Sequence, residues 1–296
     1  MKTKPPLGPN SLIPVLAIML GAACFGTLPL FARTLTDFAI AAPAIAFYRF
    51  ALSALVLSPF LVLRGPLRGA TFWGLAGGAV MGLGWIGFVV ALKTLSVAET
   101  GILFMTFPLF AILFGLLFGE RPGGRGWIGA ALIVLAALIV APGDALDPSG
   151  GLVAVAAALV APAAYGLLLN IIARRVHTLP AIAATGSIAM GSVLVLAPIV
   201  ATLPLGEVLP AAPAAYAWLA VFSAMTALIP QLIYVVFSPR IGAVRTAMAG
   251  SAELPTMFIV GAVAFGEPLG WTHLTAGALI LCAIALTARP KASASA

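Results

Sequence analysis

The chain has 296 residues, of which 62% are hydrophobic and only 8% are charged. A soluble domain carries about 25% charged residues, so this composition excludes a water-soluble globular protein and predicts an all-α polytopic membrane protein. The net charge of +7 does not indicate nucleic-acid binding, because the distribution of the basic residues fits membrane sidedness.

Ten apolar stretches follow one another along the chain, most of them long enough to cross a hydrocarbon core of about 30 Å. These spans 1 to 10 cover residues 11–31, 41–63, 70–92, 96–118, 127–141, 150–171, 180–203, 213–237, 241–265 and 270–287. We expect span 1 to be retained as a membrane helix, because it is too long for a cleaved signal and nine further spans follow it.

Lysine and arginine residues predict the orientation. If the N-terminus is cytosolic, eleven of the fifteen lie on the inner side, two on the outer side and two within spans. Short loops rich in Lys and Arg remain in the cytoplasm. The sequence therefore predicts cytosolic tails at residues 1–10 and 289–296, and a location in the plasma or inner membrane.

A repeated pattern divides the chain into halves. PLFAILFGLLFGE (108–120) and PTMFIVGAVAFGE (255–267) share their Pro and Phe-Gly-Glu positions at an offset of 147 residues. Each half then contains five spans, and because five is odd the second half must enter the membrane from the opposite side. We therefore predict two inverted five-helix repeats, at residues 11–145 and 146–288, which is a transporter architecture.

Three segments resemble the EamA type of the drug/metabolite transporter superfamily. They are FYRFALSAL (47–55), the segment from ALKTLSVAETG to ALIVAP (91–142), and the segment from PRIGAVRTAM to LCAIAL (239–286). The resemblance implies ten helices, cytosolic termini and a central cavity lined mainly by spans 1, 3, 4, 6, 8 and 9. It also implies export of small metabolites such as amino acids, and within the family the chain is most similar to exporters of aromatic amino acids.

The predicted function is thus a secondary-active or facilitative exporter of small metabolites, in particular aromatic or hydrophobic amino acids, working by alternating access. The alternative is a proton-coupled exporter of drugs or lipophilic cations. The expected partners are a small-molecule substrate and membrane lipids. Neither nucleic acid nor an ATPase subunit is expected, because the chain has no phosphate-binding GxxxxGK[ST] loop.

Ionisable residues inside a membrane cost about 2.5 to 3.5 kcal/mol each, so they mark candidate sites. Glu253, near the middle of span 9, is predicted to bind a proton or a substrate amine, or to pair with Arg49 of span 2. A structural role is favoured for Arg49, because the resemblance places span 2 outside the cavity wall. Glu99, near the outer end of span 4, either attracts a cationic substrate group or faces Lys93 and water.

Aromatic side chains on the expected cavity helices suit a flat apolar substrate, which they would bind by stacking. The predicted substrate-binding aromatics are Trp85, Phe104, Phe107, Tyr165 and Tyr234. Pro108 and Pro255 occupy equivalent positions in spans 4 and 9, where loss of a helical hydrogen bond permits a kink usable for gating.

Catalytic residues, cofactors and metal ions are not predicted. HExxH and GxSxG motifs are absent from the sequence, and Cys24 and Cys282 both lie inside spans. A channel would require a repeated polar or carbonyl-rich filter, which the sequence lacks. The sequence therefore predicts a transporter that is not an enzyme.

Overall fold

The structure is a computed structural model that describes residues 12–117, 119, 124–140, 151–234, 236–237, 249–250 and 252–287. All regular structure in these residues is helical, which confirms the all-α membrane fold. Seven helices are long and apolar enough to cross a membrane, and three shorter apolar helices lie in predicted spans 5, 9 and 10. This arrangement is consistent with the predicted ten spans.

The described residues of the first half form seven α-helices, because spans 1 and 4 are each divided in two. They are α1 (Ile13–Gly26), α2 (Leu28–Asp37), α3 (Ala42–Leu57), α4 (Arg68–Ala91), α5 (Val97–Phe104), α6 (Phe107–Leu117) and α7 (Gly124–Val140). The described helices of the second half are α8 (Gly151–Ile171), α9 (Ala181–Ala201), the short α10 (Leu205–Val208), α11 (Pro213–Ser223), α12 (Glu253–Phe265) and α13 (Trp271–Thr287). Two π-helical turns extend α8 and α11, at Ile172–Val176 and Ala224–Leu228.

Span 1 is longer than predicted. Helix α2 continues to Asp37, so Arg33 lies in a helix rather than in a loop. The helix is interrupted at Thr27, two residues before Pro29, because a proline lacks the N–H that would continue the helical ladder. Glu120, Val244 and Arg245 lie outside the described residues.

Helix α4 packs closely against α9 along its glycine stripe. A Cβ atom added to Gly78 would collide with the carbonyl of Ile188, and one added to Gly74 would collide with the hydroxyl of Ser187. Ser192 Oγ donates a hydrogen bond of 2.7 Å to the Gly78 carbonyl across this interface. The glycines therefore allow the two backbones to approach, as small residues do in membrane helices.

Helices α4 and α8 are antiparallel. Gly77 of α4 faces Leu168 and Ile171 of α8, whereas Gly87 faces Ala157 and Val160. With 24 residues, α4 extends over about 36 Å. We name the two ends of the bundle from this helix: the Arg68 end, where α4 begins and the π turn Ile172–Val176 also lies, and the Lys93 end, just beyond its last residue.

The helix neighbours are consistent with two repeats related by a two-fold axis. A two-fold axis that exchanges the repeats would place span 2 where span 7 lies, span 4 where span 9 lies, and span 5 where span 10 lies. The two members of each of these pairs are in contact, as expected for helices next to such an axis. The same exchange maps the contact of span 3 with span 7 onto that of span 8 with span 2, which is also formed. Likewise, the contact of span 4 with span 6 corresponds to that of span 9 with span 1.

Candidate functional site

A cavity of about 490 Å³ lies between the two halves of the chain. Spans 1, 2, 3 and 4 of the first half and spans 6, 7, 8 and 9 of the second all contribute to its wall. The wall extends from Trp85, deep in the bundle, to His177, which is exposed at the Arg68 end. The cavity therefore reaches the surface at that end.

Arg49 lines this cavity, which differs from the expectation that span 2 lies outside the wall. Its side chain is only 5% exposed. The Nε and Nη2 groups donate to the carbonyl of Thr226, at 3.2 and 3.0 Å. This carbonyl belongs to the π turn of span 8, a local distortion that is frequent at functional sites. The guanidinium is thus held in a fixed position at the cavity wall.

A cluster of aromatic side chains forms part of the cavity wall. The ring of Trp85 lies 5.3 Å from that of Phe104, which in turn stacks on Tyr165 at 6.0 Å between centroids. Tyr234 lies 5.7 Å from Phe25, on another part of the same wall. Four of the five predicted aromatics therefore line one cavity. Phe107 lies behind this wall, 5.0 Å from Tyr165, and is not part of the lining.

Glu253 also lines the cavity, at the first residue of α12. No nitrogen of Arg49 approaches an oxygen of Glu253 within 4.0 Å, and both residues lie in the described part of the chain. The predicted structural ion pair between them is therefore not formed. The basic side chain of Arg49 and the acidic side chain of Glu253 instead line the cavity from separate helices.

The remaining predicted site residues lie elsewhere. Glu99 forms a capping box at the start of α5: its carboxylate accepts from the Ser96 N–H at 2.8 Å, and its own N–H donates to Ser96 Oγ at 3.1 Å. It is not in the cavity wall, because this cap holds it at the helix terminus. Pro108 is the second residue of α6 and Pro255 the third of α12, so both follow the start of a helix segment.

Residues 12–141 match the model of the EamA-like transporter family. These residues belong to that family. Membership indicates a membrane transporter of small molecules. A comparison with curated proteins finds no match.

Solved structures extend the similarity beyond the EamA-like half. Fourteen chains of known structure are similar. One of them, described only as "Crystal structure of protein", is 18% identical, with a TM-score of 0.65 over 93% of this chain and 96% of its own. At this identity the similarity shows the fold alone, and it covers both halves of the chain.

Polar contacts join helices of both halves at the Lys93 end. Glu267, in the loop after α12, forms an ion pair with Arg33 of α2 at 2.6 Å. Its carboxylate also accepts from the N–H of Val97, at the start of α5, at 2.8 Å. Arg33 donates in addition to the Leu95 carbonyl at 2.8 Å. Three segments from both halves are thereby held together at the end opposite the cavity opening.

This junction gives the Phe-Gly-Glu ending of the second repeat a structural role. Gly266 ends α12 with a φ of +63°, and Gly119, its counterpart in the repeat, has a φ of +83°. Glycine adopts this left-handed conformation without the steric cost of a Cβ atom, so it commonly ends helices. The reversal of the chain at Gly266 directs Glu267 back toward Arg33 and Val97. The counterparts Glu120 and Val244 lie outside the described residues.

We expect Glu267→Ala to loosen the Lys93 end. The substitution removes an ion pair and a charge-assisted hydrogen bond, and such a bond contributes about 1.5 to 3 kcal/mol. Hydrogen exchange of the amides in the first turn of α5 should rise about ten- to hundredfold, as measured by mass spectrometry. Glu207→Ala, which removes an equal charge from an exposed position, should leave this exchange unchanged. Equal exchange in both variants would contradict the junction.

Ser53 of α3 and Thr185 of α9 are polar cavity residues that were not identified from the sequence. Ser53 lies four residues after Arg49, so the two share one helix face, and this spacing in an apolar span is the signal that could have found it. Thr185 offers no such signal. Its position depends on how α9 packs against α3.

Proposed function

We propose that the protein is a secondary transporter that exports aromatic or hydrophobic amino acids by alternating access. One observation carries the proposal: one cavity between the two halves combines an aromatic wall with the buried basic side chain of Arg49 and the half-buried acidic side chain of Glu253. Its volume of about 490 Å³ lies in the usual range of small-molecule sites. An aromatic wall suits an apolar side chain, and two opposite charges suit a substrate that carries both signs.

The asymmetry of the two ends supports alternating access. The cavity reaches the surface at the Arg68 end, whereas the Arg33–Glu267 ion pair joins the Lys93 end. A transporter built from two similar halves opens one central site to each side in turn. In this proposal, the structure represents the state in which the cavity is open at the Arg68 end.

We further infer that the Arg68 end faces the cytosol, in the inner or plasma membrane. The excess of basic residues at the inner loops supports this orientation. Single cysteines introduced at the exposed residues Gly124 and Gly270 should then react with an impermeant reagent from opposite sides of intact cells. Labelling of both from one side would exclude the inverted arrangement.

Transport by purified protein in proteoliposomes tests the function. Radiolabelled amino acids are screened with and without a pH gradient, and a lipophilic cation tests the alternative that Glu253 serves cation export. We expect flux of aromatic or large apolar amino acids. Flux of the cation alone would replace the proposal with the alternative, and the absence of any flux would reject a transport function for this cavity.

The aromatic wall predicts the kinetics of variants in the same assay. Alanine substitution of Trp85, Phe104, Tyr165 or Tyr234 removes stacking of about 0.5 to 1.5 kcal/mol, so KM should rise about two- to tenfold. Trp127→Ala is the matched control, because Trp127 is 50% exposed and outside the cavity. Unchanged KM in all four variants would show that this cavity does not bind the substrate.

A further inference from the structure

Four buried hydrogen-bond donors around the cavity have no partner among the residues that the structure describes. They are Arg49 Nη1, Ser53 Oγ, Trp85 Nε1 and Thr185 Oγ1. Their residues are between 2% and 5% exposed, and all four line the cavity. Native proteins satisfy the large majority of buried polar groups, so four unsatisfied donors on one cavity require an explanation.

Two buried polar side chains outside the cavity, those of Thr71 and Asn170, show the usual behaviour. The hydroxyl of Thr71 donates to the Val62 carbonyl at 2.7 Å, and the amide of Asn170 donates to the carbonyls of Ala111 and Gly166, both at 3.0 Å. Unsatisfied buried donors destabilise a fold unless a ligand or water binds them. Four such donors on the wall of one cavity therefore point to groups supplied by a ligand.

The surroundings of Arg49 leave one edge of its guanidinium free. The Nε and Nη2 groups both donate to the Thr226 carbonyl. The guanidinium carbon lies 3.5 Å from the centre of the Trp85 ring. Stacking on the indole makes the guanidinium and the indole N–H direct neighbours. Nη1 therefore remains available to a ligand.

The chemistry of the four groups specifies the ligand. Arg and Trp side chains can only donate, and Ser and Thr hydroxyls can also donate. The complement is a proton-free acceptor with several lone pairs and a negative charge, and a carboxylate has two such oxygens. Glu253 does not fill this role, because its oxygens lie more than 4.0 Å from the nitrogens of Arg49.

We propose that Arg49, Ser53, Trp85 and Thr185 form a subsite that binds the carboxylate of the transported substrate. The inference deepens the proposed function and rests on it, because it takes the ligand of the cavity to be the transported molecule. It assigns Arg49 to recognition of the substrate rather than to a structural ion pair.

Binding to the full-length protein in detergent tests the subsite separately from transport. Thermal stabilisation and calorimetry are measured with three probes of similar shape: L-phenylalanine, 3-phenylpropionate, which lacks the amine, and phenethylamine, which lacks the carboxylate. We expect both carboxylates to bind at least about tenfold more tightly than phenethylamine, because a hydrogen bond to a charged group is strong. Preference for phenylalanine over 3-phenylpropionate would add an amine contact and identify an amino acid as the source of the carboxylate.

Two variants each remove one donor. Trp85→Phe eliminates the indole N–H and keeps an aromatic ring, and Thr185→Val eliminates one hydroxyl. We expect each to weaken carboxylate binding about three- to tenfold. The stability of the ligand-free Thr185→Val protein should not fall, because the lost hydroxyl has no protein partner. Thr71→Val is the matched control, since it loses a satisfied hydrogen bond outside the cavity and should lower stability without changing binding.

The outcomes separate the subsite from the function. Equal binding of phenethylamine and the two carboxylates, unchanged binding in both variants, or no stabilisation by any carboxylate at about 10 mM would each overturn the subsite. Carboxylate binding without flux in proteoliposomes would leave the subsite standing and reject the transport function. Flux in proteoliposomes without preferential binding of carboxylates would support the transport function and overturn the subsite.

Discussion

Glu253→Gln is expected to abolish accumulation of substrate driven by a pH gradient while leaving exchange of substrate across the membrane intact. Among the described residues, Glu253 is the acid that lines the central cavity, where loss or gain of a proton can be coupled to movement of substrate. Glutamine keeps the shape of the side chain and removes its ionisation. Exchange should persist at saturating substrate, because it requires reorientation of the cavity but no proton. Counterflow and gradient-driven uptake in proteoliposomes measure the two processes.

The structure also predicts that Glu253→Gln folds normally. Breaking a buried ion pair costs about 3 to 5 kcal/mol, but Glu253 and Arg49 do not form one. Glu99→Gln is a matched control of identical chemistry, because Glu99 caps α5 outside the cavity and should retain gradient-driven uptake. A stable Glu253→Gln protein with full pH-dependent transport would remove Glu253 from coupling and leave facilitated diffusion.

Gly78→Ala is expected to destabilise the protein severely. The added methyl group would collide with the carbonyl of Ile188, a backbone atom of α9, so no rotation of a side chain can relieve the overlap. Separation of α4 and α9 would also disrupt the hydrogen bond from Ser192 to the Gly78 carbonyl. Overpacking of this kind costs about 3 kcal/mol or more. We expect a large loss of folded protein, measured by size-exclusion chromatography after a temperature series.

Gly69→Ala in the same helix is the control for Gly78→Ala. No atom lies within 4 Å of the position that a Cβ atom would occupy at Gly69, and alanine favours helix over glycine by up to about 1 kcal/mol. This variant should therefore be as stable as the wild type or slightly more stable. Similar melting of the two variants would mean that the close contact of α4 with α9 does not support the fold.

The repeated Phe-Gly-Glu motif predicted the similarity of the two halves but not the contacts of Glu267. The offset of 147 residues led to the prediction of similar halves, and the left-handed glycines at positions 119 and 266 follow the same offset. The physical role of Glu267 was not predicted, because it depends on Arg33 and Val97, which are 234 and 170 residues away. No local pattern specifies such contacts.

The hydrogen-bond partner of Arg49 was also not predicted from the sequence. Its presence in an apolar span marked it as a residue that needs a partner, and this expectation was sound. Of the two alternatives for Glu253, the pairing with Arg49 is not formed, and the Thr226 carbonyl accepts from Arg49. That carbonyl is available at a π turn, and neither the turn nor its position beside span 2 can be derived from hydrophobicity.

Composition and periodicity by themselves determined the membrane class of this protein, the positions of its apolar spans and their helical state. These properties follow from local physics, because each span must bury its own backbone polar groups in lipid and can do so only as a helix. The tertiary structure alone decided which faces of those helices meet. The rotation and crossing of α3, α4 and α9 brought Arg49, Ser53, Trp85 and Thr185 to one cavity and left Glu99 and Phe107 outside it. Such packing depends on contacts between residues far apart in the chain, and the lipid environment makes all apolar faces similar, so no single span could reveal it.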